Sequence, residues 1–453
     1  MTIHRKLRDY QKAGRDAAIN AFKTDKGFLI GDEMGLGKSI QSLAVADKIK
    51  KKFKRIAIIC PAGLVEKWKD EIKKHLPKNR DYAFSIASYN ELAKPEKLHF
   101  FTSRRYDLTI CDEAHYLKGF ESQRTRAVLG APEDKHRTVA SVSEKLIGLS
   151  GTWPPNRVGE VYPWLYRTAH PLTHGLTYTE FLYKYAGQVW ETGFGTKHKG
   201  VKSPEAFRAL LNKNFIYRKT DDVEKDIPKF TAVSIPIECG LEIFEEEKKL
   251  LVELLTLAGH PAHDLPMIFD KPGFLDLLLE TVPSFDRLSE FRKRQGLLKI
   301  KPVSDYLIES VLPETKKFIL FCYHRDVAEK YRQILTKSLK ADGQIVHLIT
   351  GDTSDKSTRF KYLQEIDRAP NAVLIATIDA VREGYDLTGF RKSFYAESDW
   401  RTYAVEQSQG RTRRIGQTKP GFWFFFNLAH GVESLMAKRL IEKGSDLKKI
   451  RGK

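Results

Sequence analysis

From Gly27 onward, short apolar runs alternate with longer amphipathic stretches, the pattern of βαβ units feeding a parallel sheet. The first series is GFLI (27–30), RIAIIC (55–60), DLTIC (107–111) and KLIGL (145–149). A second begins near Lys317 with KFILFC (317–322), QIVHLI (344–349), NAVLIA (371–376), KSFYAE (392–397) and GFWFFFN (421–427). Two series predict two sheets, hence an α/β protein of two lobes. Between them, from Pro171 to Lys299, the alternation gives way to aromatic-rich helical segments such as EFLYKYAG and to the acidic-to-basic run EIFEEEKKLLVELLTLAG. The expected division is a first lobe over 1–222 with a helical insertion at about 171–215, a linker and helical protrusion over 223–300, and a second lobe over 301–453.

Length supports this division, because 453 residues exceed one ordinary core. Hydrophobic residues make up 41% of the chain and no low-complexity tract interrupts them, as in an ordered globular enzyme. The 77 Lys and Arg against 58 Asp and Glu give a formal charge of +19, a field that favours a polyanion, and nucleic acid is the polyanion that fits it. The cysteines, Cys60, Cys111, Cys239 and Cys322, are far apart and read as core thiols. They offer neither zinc spacing nor a disulfide framework. Residues 1–10 lack an apolar leader, and Gly421–Ala429 is too short to span a bilayer. A soluble, cytoplasmic protein with no membrane partner, no zinc and no obligate protein partner is expected.

Candidate chemistry begins at GFLIGDEMGLGKSIQSLAVADKI, where a strand, a Gly-rich turn and a helix follow in order. The backbone N–H groups of Gly35, Leu36, Gly37, Lys38 and Ser39 can cradle phosphates at the helix N-terminus, flanked by Met34 and Ile40. Lys38 would reach the β and γ phosphates of ATP, and Ser39 carries the hydroxyl needed to hold Mg2+. The usual first glycine of this pattern is replaced by Asp32. Asp112 and Glu113, in DEAH after the strand DLTIC, stand at the carboxyl end of a parallel strand, where open α/β sheets bind ligands. Asp112 can join the Mg2+ shell, and Glu113 can orient and deprotonate the attacking water. In QSQGRTRRIGQ, Gln407, Arg411 and Arg414 fall at i, i+4 and i+7, one face of a predicted helix, with Arg413 pointing elsewhere. Two guanidinium groups presented together suit a γ-phosphate; a solvated basic helix is the plainer alternative.

With these elements in this order, the chain resembles the Swi/Snf-type branch of superfamily 2 helicases over nearly its whole length. LRDYQKAG (7–14) is similar to the Q motif, which implies that Gln11 reads adenine, and GDEMGLGKS to motif I, Asp included. CPAGLVEKWKDEI (60–72) resembles motif Ia and CDEAHYLK (111–118) motif II, with His115 on the coupling side. LSGTWPPN (149–156) resembles motif III, whose Ser150, Gly151 and Thr152 would link the ATP site to DNA, and YRKTDDVEKDIPK (217–229) the segment that ends lobe 1. FILFCYHRDV, TIDAVREGYDLT (377–388) and QSQGRTRRIGQ look like motifs IV, V and VI, placing Asp386 on the DNA side. The resemblance implies a P-loop NTPase built as a superfamily 2 helicase core, with two RecA-like lobes hydrolysing Mg-ATP between them. DEAHYLK, EFRKRQGLLKI (290–300) and YAESDW (395–400) tilt it toward annealing helicases and the compact helicases of phages and bacteria.

Departures are Arg382, Glu383 and Tyr385, where motif V commonly has a Gly-rich turn, and Arg401-Thr402 after Trp400, where Asn-Pro is usual. Neither a chromatin reader nor a zinc module is visible, and a minimal motor is expected. The run KIKKKFKR (48–55) is read as a solvated helix end. Trp68, Trp153, Trp164, Trp190 and Phe422–Phe426 are read as core, and His75 and His324 as structural. The expected activity is an ATP-dependent translocase or helicase on duplex or branched DNA, bound largely without sequence preference. An RNA helicase, a remodeller that displaces proteins without separating strands, and a non-catalytic scaffold are the rival readings.

Overall fold

The computed structural model describes residues 7–49, 54–76, 82–134, 136–151, 157–192, 195–223, 227–238, 285–339, 344–351, 356–381, 387–399, 402–414 and 417–428, with single positions at 245, 249, 252, 256 and 433. The chain divides into two compact units, the first running to Asp226 and the second starting at Ile227.

The first unit is built on a six-stranded, all-parallel sheet in the order β3-β2-β4-β5-β1-β8, formed by β1 (Gly27–Ile30), β2 (Lys54–Cys60), β3 (Tyr82–Ser88), β4 (Tyr106–Asp112), β5 (Ser143–Leu149) and β8 (Phe215–Ile216). Alternate side chains of its central strands feed two cores. Leu29, Ala57, Ile59, Cys111 and Leu146 enter one. Phe28, Ile30, Ile58, Ile110 and Leu149 enter the other, against the helices α1 (Asp9–Ala21), α2 (Lys38–Lys48) and α3 (Val65–His75). A sheet apolar on both faces needs helices on both sides, which is why its strands read as unbroken apolar runs.

The second unit repeats this plan with β9 (Phe230–Ile237), β10 (Lys317–Cys322), β11 (Ile345–Ile349), β12 (Ala372–Thr377), β13 (Lys392–Tyr395) and β14 (Gly421–Leu428), also all parallel, in the order β11-β12-β10-β13-β14-β9. Phe318 and Leu320 face one core, Ile319 and Phe321 the other. Both units are therefore parallel-sheet α/β lobes.

Every apolar run of the two series forms a strand of these sheets. Several features depart from the sequence reading. β3 and β9 are edge strands with half-exposed side chains, so their apolar signal is weak. β9 also lies inside the stretch 223–300 that was expected to be linker and helical protrusion, pairing with β14 over eight residues. The insertion at about 171–215 contains the expected helix Tyr178–Tyr185 and a second one, Pro204–Leu211, but also an antiparallel hairpin, β6 (Gln188–Thr192) and β7 (Gly195–Lys199). Of the lysine run, Lys54 is not a solvated helix residue: it opens β2, is buried, and donates its Nζ to the Asp47 carbonyl at 2.5 Å.

Trp68 and Trp164 are core residues as expected. Trp190 and Phe422 are instead exposed, since a hairpin and the outer part of β14 give them no covering layer. Cys60, Cys111 and Cys322 are buried free thiols. Trp153, Cys239 and most of the run 242–259 lie outside the described residues. Among the described residues, no helix is long and apolar enough to cross a membrane.

Candidate nucleotide site

The fully buried strand β1, between β5 and β8, leads into the turn 31–37, and α2 begins at Lys38. Gly35 and Gly37 have φ of 86° and 74°, in the left-handed region that favours glycine. At Gly37 a side chain would also collide with Gln11, whose Nε2 lies 2.6 Å from where a Cβ would stand. The first N–H groups of α2 have no partner within the helix, so the turn and helix start together form an anion cradle. Lys38 lies over this loop and donates to the carbonyls of Asp32 at 2.8 Å and Glu33 at 3.4 Å. Ser39 and Ile40 follow it, half-buried, in the first turn. Gln11, from α1, donates to the Leu36 carbonyl at 3.1 Å and accepts the Arg8 N–H at 3.0 Å. Gln11 is thus held against the turn 31–37.

The aspartate in place of the usual glycine has a structural cause. Asp32 is fully buried and receives Arg218 Nε at 2.9 Å on Oδ1 and Nη2 at 2.5 Å on Oδ2. Gln41 donates to the same Oδ2 at 2.9 Å and accepts Arg218 Nη2 at 2.8 Å. Arg218 Nη1 further donates to the Tyr10 carbonyl, and its guanidinium lies over the Tyr10 ring, 5.1 Å from the centroid. Glu33 accepts the Tyr217 hydroxyl at 3.1 Å and the Thr220 N–H at 2.9 Å. One arginine therefore ties α1, the turn 31–37 and α2 together. Its part in the site is not apparent from residue spacing, because Asp32 and Arg218 are far apart in the chain.

β4 ends in Asp112, and β5, its neighbour, ends next to Ser150. Asp112 is buried; its Oδ2 accepts Trp68 Nε1–H at 2.9 Å and its Oδ1 the Glu113 N–H at 3.0 Å. Its backbone carbonyl accepts the Tyr89 hydroxyl at 2.7 Å. Burial first, then the charge of Glu113, pushes the Asp112 carboxyl up to about 6, while the Trp68 hydrogen bond and the cations Lys67 and Lys38 pull it down. Glu113 has φ of 51°, a conformation that is uncommon for a residue with a side chain. Its carboxylate lies 3.2 Å from His115 Nδ1, which is 3.1 Å from Ser150 Oγ. Ser150 N–H in turn bonds to Ile30 O at 3.1 Å, and a Cβ on Gly151 would stand 3.0 Å from Met34 and 3.2 Å from Lys38 Nζ.

The ends of the adjacent strands β4, β5 and β1 thus bring together Lys38, Asp112, Glu113, His115, Ser150 and Gly151. The Ser39 hydroxyl and the Asp112 carboxylate are hard oxygen donors of the kind Mg2+ prefers, and a cation beside Asp112 would relieve its repulsion with Glu113. Thr152 lies outside the described residues.

In the second unit, α4 (Thr402–Thr412) packs on its sheet through Ser408, 2.7 Å from the Tyr395 hydroxyl, and through Thr412, which accepts Trp423 Nε1–H at 3.1 Å. Gln407 and Arg411 are both buried on this helix. Arg414 does not share it: the helix stops at Thr412, whose carbonyl is taken by the Gln417 side chain at 3.1 Å. Arg414 Nε is buried without a hydrogen-bond partner among the described residues, and Arg413, directed elsewhere, donates to the Pro228 carbonyl at 3.1 Å. Arg382, Glu383, Tyr385, Asp386 and Trp400 lie outside the described residues.

Comparison with known proteins follows the same division. The SNF2-related domain family matches residues 10–84, and the helicase conserved C-terminal domain family matches residues 299–416. The chain is 24% identical over 457 residues to the SWI/SNF-related matrix-associated actin-dependent regulator of chromatin subfamily A-like protein 1 of Drosophila melanogaster, covering 96% of this chain and 55% of that protein. It is 22% identical to the DNA annealing helicase and endonuclease ZRANB3 of Mus musculus, covering 92% of this chain and 38% of that protein. The chain therefore spans about half or less of these relatives. The Hef helicase domain of Pyrococcus furiosus superposes with a TM-score of 0.51 at 16% identity, over 96% of this chain and 98% of that domain, a likeness of fold. Two segments of the chain, one in each unit, are thus similar to the SNF2-related domain and to the helicase conserved C-terminal domain.

Proposed function

We propose that this chain is a DNA-stimulated ATPase that uses Mg-ATP hydrolysis to translocate on duplex or branched DNA, with fork or junction remodelling and branch migration as its work. The observation that carries the reading is the convergence of Lys38, Asp112, Glu113 and Ser150 at the ends of β1, β4 and β5, with Glu113 held at φ 51°. Such an arrangement suits phosphoryl transfer, which asks a protein mainly for positioning and charge.

In this reading the N–H groups from Gly35 to Ser39 bind the phosphates, and Gln11 contacts adenine. Lys38 leaves the carbonyls of Asp32 and Glu33 for the β and γ phosphates. Ser39 and Asp112 would hold Mg2+, which when bound neutralises charge on the phosphate oxygens. Glu113 orients the attacking water and takes its proton. His115 and Ser150 relay the state of that carboxylate toward Gly151 and Thr152. Arg411 and Arg414, from the second unit, supply guanidinium groups to the γ-phosphate, and the unpartnered Arg414 Nε supports that assignment. The +19 charge and the DNA annealing helicase among the relatives support DNA as the track.

The test is steady-state ATP hydrolysis at fixed low salt with no nucleic acid, single-stranded DNA, duplex DNA, a four-way junction, or RNA. Stimulation chiefly by duplex or junction DNA is expected. Stimulation by RNA alone, or none, would overturn the reading.

A further inference from the structure

The parallel strands of the first unit have two ends, and the turn 31–37 lies only at the carboxyl one. At the amino end, the starts of β2, β3 and β4 border a recess of about 390 Å3 lined by Arg55, Ser85, Ser103, Arg104, Arg105 and Tyr106. No carboxylate lines it; the nearby Asp107 accepts the backbone N–H of Arg55 at 2.8 Å. Asp112 lies at the far end of the seven-residue strand that Tyr106 begins, a separation of about 20 Å. A ligand here is not the nucleotide of the phosphate loop.

Two further observations make this a built recess and not a patch of surface arginines. The Arg104 guanidinium is fixed: it lies over the Phe100 ring at 3.7 Å from the centroid, and its Nη1 donates to the Phe100 carbonyl at 2.5 Å. Tyr106 is 3% exposed, and its buried hydroxyl has no hydrogen-bond partner among the described residues. Burial pushes the Tyr106 phenol up, and the nearby Ser85 hydroxyl and the charge of Arg104 offset part of the shift. A buried hydroxyl left unmatched costs stability, and a ligand oxygen in the recess would satisfy it.

We infer that this recess is a second anion site, taking a phosphate group between Arg55, Arg104 and Arg105 with the Tyr106 hydroxyl as a neutral donor from its floor. Planar guanidinium groups match phosphate oxygens two at a time, and the serine hydroxyls complete a donor-rich lining. The phosphate is either free inorganic phosphate or a backbone phosphate of bound DNA; the chemistry is the same and the experiment separates them.

The experiment uses the full chain in two arms. In a Lys38→Ala background, which silences the phosphate loop, inorganic phosphate is titrated calorimetrically. One bound phosphate is expected, weakened roughly ten- to a hundredfold by Arg104→Gln/Arg105→Gln and less by Tyr106→Phe, which keeps the ring packed. In the second arm, anisotropy of a short blunt DNA duplex is followed across a salt series with Lys38 intact. If the phosphate comes from DNA, Arg104→Gln/Arg105→Gln reduces the slope of log affinity against log salt by about 1–2. Loss of phosphate binding alone assigns a free ion, and a reduced salt slope assigns the duplex. No change in either arm overturns the site, provided the variants melt like the parent. If no form of the chain binds DNA, the translocase reading fails while the calorimetric arm still decides the recess.

Discussion

Arg218 holds the fully buried Asp32 through one edge of its guanidinium, Nε at 2.9 Å and Nη2 at 2.5 Å, at the start of the turn that follows β1. Geometry of this kind is specific to arginine, because a lysine ammonium cannot bond both carboxylate oxygens and Gln41 from one place. Removing one partner of a buried pair leaves the other charge uncompensated. Arg218→Ala is therefore expected to lower unfolding stability by about 3–5 kcal/mol, read by urea denaturation. Arg218→Lys is expected to keep the fold and raise KM for ATP more than it lowers kcat. Equal values for Arg218→Lys and the parent would show that the clamp does not shape the loop.

Trp68 donates to the Asp112 carboxylate at 2.9 Å, so it is more than a packed ring. In Trp68→Phe the packing is kept and the hydrogen bond lost. Supporting partners of metal-binding carboxylates contribute about 10–100-fold to metal affinity, and a rise of that size is expected in the Mg2+ concentration needed for half-maximal ATP turnover. ATP binding without Mg2+ should be unchanged. An unaltered Mg2+ requirement would remove Trp68 from the site.

Glu113→Gln preserves shape and removes the base. Turnover should fall about 10²–10⁴-fold while ATP binding, followed with a fluorescent analogue, persists. Lys38→Ala should lose both turnover and tight binding. Arg414→Ala should lose turnover with ATP binding near that of the parent. Wild-type hydrolysis by Glu113→Gln would show that the water is activated elsewhere.

His170 and His198 report on the insertion of the first unit. Burial lowers both to about 4, and each accepts a backbone N–H on a ring nitrogen, His170 Nδ1 from Leu172 at 3.2 Å and His198 Nε2 from Gly159 at 3.1 Å. Both folded pKa values lie below the unfolded value of 6.5, so between pH 6.5 and about 4 the unfolded chain binds more protons. Their stabilisation is fully present above pH 6.5 and is lost as pH falls toward 4. Asp112, raised to about 6, acts with the opposite sign over part of that window. The comparison is therefore between the parent and His198→Gln: the parent's melting temperature should fall more steeply from pH 7 to pH 5. Parallel profiles would refute the assignment.

Much of this structure is legible in the sequence wherever a segment has only one place to go. The apolar runs become central strands because both their faces are covered, and DEAH falls at the end of β4 because the strand before it is unmistakable. Edge strands escape notice for the converse reason. β3, β8 and β9 are short or half-exposed, and β9 carries Pro236 at an edge where a missing N–H is tolerated. The helical face assigned to Gln407, Arg411 and Arg414 holds for the first two. It fails at Arg414 because the helix stops at Thr412, where the Gln417 side chain takes the last carbonyl, a side-chain cap that apolar periodicity does not carry. Arg218 and Trp68 are invisible as site residues for a similar reason: each acts on a carboxylate distant in sequence, and only the sheet order brings them together.

The Arg218 clamp also has a consequence for how the protein is made. During synthesis the phosphate loop leaves the ribosome early, yet Asp32 has no arginine to neutralise it and β1 has no β8 beside it until residues 215–218 have followed. A nascent chain of this protein should acquire nucleotide affinity late, in one step, once nearly half its length has been translated.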